Sequence, residues 1–160
     1  MHSAAPIHVA EPKPENQPRG CTHFKLRQLL RRVARIYDAE LASAGLKGTQ
    51  FSLLSQLLAH GPVQPKLLAQ LLGLEASTLT RNMRIVTAAG WATQGPGADG
   101  RSRVIEITAA GRAKQAEARR YWKRAQRTLN QQFGAGRVAR LHALIDEGMA
   151  RLVGAAERED

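Results

Sequence analysis

Apolar residues recur along most of this chain at three- and four-residue steps, the spacing of one face of an α-helix. Leu26, Leu29, Leu30, Val33, Tyr37 and Leu41 follow that spacing and predict a helix over residues 22–43. Arg27, Arg31, Arg32 and Arg35 fill much of its other surface. Gly45 stands where a helix C-cap belongs. Thr49 is placed to cap a second helix through Phe51, Leu54, Leu57 and Leu58, which Gly61-Pro62 ends. Pro65 suits the first turn of a short third helix with Leu67, Leu68, Leu71 and Leu72 as its apolar face. Gly73 breaks it, and a fourth helix runs from about Ala76 to Ala89, where Gly90 stops it.

The period then changes. Trp91 to Gln94 reads as short and extended, and residues 95–100 (GPGADG) form a turn cluster. Val104 and Glu106 alternate with Ile105 and Ile107, which predicts a two-stranded antiparallel hairpin. Helical spacing returns over residues 109–133 and again over 136–156. The last helix has Val138, Leu141, Leu144, Ile145, Met149, Leu152 and Val153 as its stripe. No internal repeat is visible. The expected fold class is mainly α with a small β-hairpin.

The 160 residues suit one domain with a core of its own. Aromatic residues are only 4%, which argues against a sheet-dominated core. The net charge of +11 changes the picture more, because it calls for a polyanionic partner: DNA, RNA or an anionic membrane. Lys13 and Arg19 balance Glu11 and Glu15 in residues 1–20, a proline-marked stretch expected to be a flexible leader without a signal-peptide core. The positive charge therefore belongs to the folded part. No apolar run approaches the ~18 residues of a membrane span. The single cysteine, Cys21, excludes an internal disulfide framework and fits a reducing cytosol.

Residues 65–89 carry the most information. Small Ala69, turn-forming Gly73 and apolar Leu79 have the spacing of a helix-turn-helix, with Leu79 plugging the second helix into the first. On a wheel of about 100° per residue, Met83 and Val86 fall beside Leu79. Ser77, Arg81 and Arg84 fall near the opposite side, flanked by Thr78, Thr80 and Ile85. Hydroxyls and guanidiniums there can bond phosphates and guanine edges in a major groove. A plain solvated helix would also present such a face. The hairpin points the same way. Arg101 and Arg103 stand at or just after its tip, where a wing inserts arginine into a minor groove, and Asp99 is near enough to orient a guanidinium. The tip also contains a G-x-G-x-x-G (Gly95, Gly97, Gly100). Dinucleotide binding needs a strand before it and a helix after it, whereas here a strand follows, so no nucleotide cofactor is expected.

The segments LLAQLLGLEASTLTRNMRIVTAAGW (67–91) and DGRSRVIEITAAGR (99–112) resemble the MarR family of winged helix-turn-helix transcription regulators. Asp99, Arg101 and Ile107-Thr108 occupy the places of that family's wing signature, D-x-R followed by L-T. Residues 37–57 (YDAELASAGLKGTQFSLLSQL) resemble its first two helices, and the likeness covers about residues 21–156. The stretch VTAAGWATQGPG lacks the charged residues usual there, so the wing is less basic than its relatives'. The resemblance implies one domain over residues 21–156. Residues 46–111 would be the winged-helix DNA-binding part, and residues 21–45 and 112–156 the dimerisation helices. It further implies a homodimer on a pseudo-palindromic promoter site, with affinity modulated by a small-molecule effector or by oxidation.

Cys21 precedes the first helix, where amide dipoles favour a thiolate, so it is the redox candidate; an inert thiol is the alternative. With no second cysteine in the chain, its partner would be Cys21 of the other subunit or a small thiol. His2, His8, His23, His60 and His142 have no metal-ligand spacing, and no paired acid/base or nucleophile motif occurs. Neither metal nor enzyme activity is expected. Tyr121 and Trp122 either wall an effector pocket or pack in the core. The expected function is a cytoplasmic repressor that binds double-stranded DNA; the alternative is a sequence-nonspecific DNA-architectural protein.

Overall fold

The computed structural model describes residues 19–156, and the side chains of residues 19–152. Residues 1–18 of the expected leader and the side chain of Val153 lie outside the described residues. The elements in order are α1 (Thr22–Leu41), a 3₁₀ turn (Ala42–Ala44), α2 (Gly48–His60), α3 (Pro65–Leu72) and α4 (Ala76–Ala88). Strands β1 (Ala92–Pro96) and β2 (Arg103–Ile107) follow, then α5 (Ala109–Leu129), a π turn (Asn130–Gly134) and α6 (Ala135–Ala156). The strands pair antiparallel from Ala92 with Ile107 to Pro96 with Arg103. The fold class is the expected one.

The core sits between α2, α3, α4 and the hairpin. Leu53, Leu54, Leu57, Leu68, Val86 and Ile105 are its fully buried large side chains, joined by Leu41 at the end of α1. Strand alternation does its part: Ile105 and Ile107 are buried while Glu106 between them faces solvent. Val63, between Pro62 and Pro65, adds an isolated antiparallel bridge to β2. Its N–H donates to Ile105 O at 3.0 Å and its carbonyl accepts from Ile105 N–H at 2.8 Å. That short segment ties the start of α3 to the hairpin.

Two local expectations are corrected. Thr49 does not cap α2; it lies within the first turn, and Lys47 is the N-cap residue. The free amides there are met from elsewhere. Gly48 N–H donates to Asp38 Oδ1 of α1 at 2.8 Å, and Lys47 N–H donates to Gln50 Oε1 at 2.8 Å. A carboxylate at a helix N-terminus also suits the helix dipole, so no hydroxyl cap is needed. The helix expected over 109–133 ends instead at Leu129, and residues 130–134 form the wider π turn that leads directly into α6. Residues 130–133 contain no Gly or Pro to mark the change from α-helix to π turn, and the first breaker is Gly134, which takes φ 92°.

The stripes of α1 and α6 are only partly covered. Leu41 and Val138 are buried, but Leu26, Leu30, Leu144, Met149 and Leu152 are each more than half exposed. Between the two helices runs an apolar groove of about 390 Å³, with Leu29, Leu30, Val33, Val138, Leu141 and Ile145 among its lining.

Candidate nucleic-acid interface

The turn between α3 and α4 is built as its spacing requires. Gly73 adopts φ 61°, a left-handed conformation that costs other residues, and Leu74 N–H donates back to Ala69 O at 2.9 Å. Ala69 and Leu79 are both buried, so the second helix is seated on the first. Leu79, Met83 and Val86 form the inner face of α4. Ser77, Thr78, Thr80, Arg81, Arg84 and Ile85 are all exposed on the rest. Arg81 and Arg84 make no ion pair among the described residues. The Thr80 hydroxyl donates to Ala76 O at 2.8 Å, and that of Thr87 donates to Met83 O at 2.7 Å. Thr80 therefore offers lone pairs outward rather than a proton.

The hairpin stands beside this face. Arg84 and Thr87 of α4 and Gln94 of β1 line one groove of about 270 Å³. At the tip, Asp99 does something other than the expected orientation of a guanidinium. Its Oδ1 accepts from Arg101 N–H at 3.0 Å, Ser102 N–H at 2.9 Å and Ser102 Oγ at 2.7 Å. The short aspartate side chain sits within reach of the turn's own amides, which outcompete two flexible arginines facing water. The Ser102 hydroxyl first, then the two amides, hold the Asp99 carboxyl below its ordinary pKa. A depressed carboxyl pKa stabilises the tip above the usual carboxylate range, and that contribution is lost as pH falls through the folded value. Arg101 and Arg103 are left exposed. Gly97 N–H donates to Ser102 O at 2.7 Å, and Gly100 takes φ 66°. Gly97 and Gly100 thus serve a β-turn, while Gly95, expected in the turn cluster, is a residue of β1 opposite Val104.

The base of the hairpin is welded to the ends of α4 and α5. Trp91 N–H donates to Val86 O, closing α4, and Trp91 O accepts from Thr108 N–H at 3.0 Å. The Thr108 hydroxyl donates to Gly90 O at 2.6 Å and accepts from Gly111 N–H at 3.0 Å, capping α5. Lys114 Nζ lies 5.6 Å above the Trp91 ring centroid and donates to Ala44 O at 2.9 Å. One lysine therefore connects α5, the 3₁₀ turn and the wing base. Lys114 reads in the sequence as one of the basic residues of 112–127 and not as part of this joint; the T-x-x-G spacing of Thr108 and Gly111 is the only local signal for it.

The remaining candidates lie apart from that surface. Cys21 is the exposed N-cap residue of α1. No three His, Cys, Asp or Glu side chains cluster as metal ligands among the described residues. Trp122 stacks on Phe51 with centroids 6.2 Å apart and also lines a cavity of about 420 Å³ with Leu30, Tyr37, Leu41, Phe51 and Leu72. Tyr121 packs half-buried against the core, with Arg124 over its ring at 5.5 Å. Tyr37 donates its hydroxyl to Gln126 Oε1 at 2.6 Å, joining α1 to α5, and burial raises its pKa.

A helix-turn-helix with an exposed hydroxyl- and arginine-bearing second helix, followed by a β-hairpin wing, defines a winged helix-turn-helix protein. A family model described as the MarR family matches residues 44–102. The M. tuberculosis transcriptional regulator MosR, solved in complex with DNA, is 32% identical with a TM-score of 0.69; the match covers 81% of this chain and 96% of that one. The transcriptional repressor CouR, bound to a 23-mer DNA duplex, shares the fold with a TM-score of 0.73 at 21% identity, over 79% of this chain and 91% of that one. The HTH-type transcriptional regulator YwoH of Bacillus subtilis (strain 168) is 29% identical over 93 residues, 58% of this chain and 68% of that one. The chain belongs to the MarR family, whose fold is that of transcriptional regulators.

Proposed function

We propose that the protein is a sequence-specific repressor that binds double-stranded DNA as a cytoplasmic homodimer. The observation that carries this reading is α4: its apolar side is fully engaged, while Ser77, Thr78, Arg81 and Arg84 face outward beside the wing. MosR and CouR, which share the architecture, were solved on DNA. Residues 46–111 would form the DNA-binding part, with Asp99 holding the tip and Arg101 and Arg103 meeting the backbone or a minor groove. Competition of a promoter fragment against bulk DNA tests the reading. Preferential retention of the fragment is expected, and equal competition would make the protein a nonspecific architectural one.

Residues 21–45 and 112–156 would form the dimer. Exposed Leu26 and Leu30 on α1, and Leu144, Met149 and Leu152 on α6, leave more apolar surface than a lone small domain carries without a partner. No helix among the described residues is long and apolar enough to cross a membrane. Sedimentation at micromolar concentration should give twice the 17.5 kDa chain mass; a monomer there would remove the dimer from the mechanism.

Release from DNA would come from a small effector or from oxidation. The cavity of about 420 Å³ walled by Tyr37, Phe51 and Trp122 is large enough for an aromatic effector and touches both α1 and α2. Cys21, exposed at the head of α1, would act through Cys21 of the other subunit or a small thiol. Peroxide treatment followed by non-reducing mass analysis should show such an adduct, and Cys21→Ser should abolish any peroxide response of DNA binding. An unchanged response would place sensing elsewhere.

Arg101→Ala should reduce the dependence of log affinity on log salt by roughly one unit for the phosphate no longer neutralised. Its side chain is exposed, so stability should change by less than ~0.5 kcal/mol. Anisotropy titrations across salt concentrations, with a melting curve beside them, read both. An unaltered salt slope would mean that the wing stays off the DNA.

A further inference from the structure

Residues 112–127 hold seven basic side chains and one acid, Glu117. The structure sorts them into two groups. Lys114 turns toward Ala44 O and pairs with Glu117 at 3.0 Å, and Arg124 pairs with Glu40 of α1 at 3.0 Å. The other five, Arg112, Arg119, Arg120, Lys123 and Arg127, are exposed and pair with no acid among the described residues. At about 100° per residue they fall within an arc of roughly 100°, away from the buried side of Gln115, Ala118, Ala125 and Leu129.

That arrangement works against the helix. Arg119–Lys123, Arg120–Lys123 and Lys123–Arg127 are like charges three or four residues apart, which repel. A helix face that only needs solvation relieves such repulsion with interspersed carboxylates. Here Glu117 lies off the stripe and is already held by Lys114. A second copy of the chain is a poor occupant, because two-fold pairing on this face would set the same cations against each other. The exposed apolar stripes of α1 and α6 lie elsewhere. A polyanion fits.

Duplex DNA presents one negative charge per ~1.7 Å of its axis. Arg119, Lys123 and Arg127 follow one another at about 6 Å along the helix, so each can meet a separate phosphate. Four of the five cations are arginines, whose planar fork matches phosphate oxygens in pairs. The stripe starts one turn beyond Thr108 at the base of the hairpin and runs about 22 Å from it. We infer that this face of α5 is a second DNA-backbone surface, separate from α4 and the wing, that takes either a flank of the same duplex or a second duplex.

The test uses the full chain and a random-sequence duplex of about 60 base pairs. Arg119→Gln/Lys123→Gln/Arg127→Gln should lower the slope of log affinity against log salt by about 2 to 3. Between about 50 and 200 mM salt that makes the variant's loss of affinity roughly 40-fold smaller than the parent's. The same drop should appear in an Arg81→Ala/Arg84→Ala background, since the stripe acts independently of α4. Arg119→Lys/Arg127→Lys should keep the parental slope. The melting temperature should not fall, because glutamine is a comparable helix former and the repulsion is relieved. Sedimentation with excess duplex separates the two sources: two duplexes per protein assembly indicate a second duplex, one indicates a flank. An unchanged slope would overturn the inference, as would unchanged DNA binding together with lost binding of polyglutamate, which would give the face to an acidic protein. Failure of the α4 reading would show separately, as promoter preference that survives in the Arg81→Ala/Arg84→Ala protein.

Discussion

Gly111→Ala is expected to destabilise the protein by about 2–3 kcal/mol, although helix propensity alone predicts the opposite sign. Alanine normally gains ~1 kcal/mol over glycine inside a helix. Gly111 lies in the first turn of α5 and does not occupy the left-handed region, so backbone strain is not the issue. Space is. A Cβ at this position would press into the Trp91 carbonyl oxygen and stand 2.8 Å from Ile107 Cγ1. The carbonyl cannot easily yield, because it accepts the Thr108 N–H that begins α5. Relief would require α5 to slide off the hairpin, breaking the Thr108 bonds to Gly90 and Gly111. Gly136→Ala is the control: it is also helical, and nothing lies within 4 Å of its added Cβ. Thermal melts should show a drop of several degrees for Gly111→Ala and none for Gly136→Ala. A Gly111→Ala protein that melts at or above the parent would mean that the α5–hairpin joint is looser than this packing.

The contrast between those glycines shows where sequence reading reaches and where it stops. Gly73 was legible because its task is local: a left-handed turn between two apolar stripes. Leu79, Met83 and Val86 were legible because burial on a helix follows its 3.6-residue period. The same period marked Leu30 and Met149, which are exposed in the single chain. Periodicity reports that a face is apolar, not what covers it. Contacts between distant segments left no such trace. Asp38 at the head of α2, Val63 beside Ile105 and Lys114 over Trp91 join residues from 10 to 42 positions apart, and no spacing rule connects them. Asp99 was singled out for its charge, yet its role depends on which donors come within hydrogen-bond reach, and these were the turn's own amides. The arginines of α4 were readable as exposed, while their use rests on a partner outside the chain.

Arg81→Ala and Arg84→Ala should each weaken binding to a promoter site by ~1–3 kcal/mol, about 5- to 150-fold, and change random-sequence binding far less. The reasoning begins with packing. Burial of Leu79, Met83 and Val86 fixes the roll of α4, so its outward arc is set before any DNA arrives. Both arginines lie on that arc, exposed and without an intramolecular ion pair among the described residues. Binding therefore breaks no internal salt bridge and leaves both guanidiniums free for the paired acceptors on a guanine edge. Arg84 also lines the groove shared with Gln94, which places it at the hairpin side of the helix. An arginine that reads a base loses affinity for its own site selectively when removed; one that touches phosphate alone loses it on every sequence and lowers the salt slope by about one. Parallel titrations of each variant on the promoter fragment and on random duplex separate these cases. Losses of equal size on both probes for both variants would assign the arginines to the backbone and move sequence reading to Ser77, Thr78 and Ile85 along the same arc.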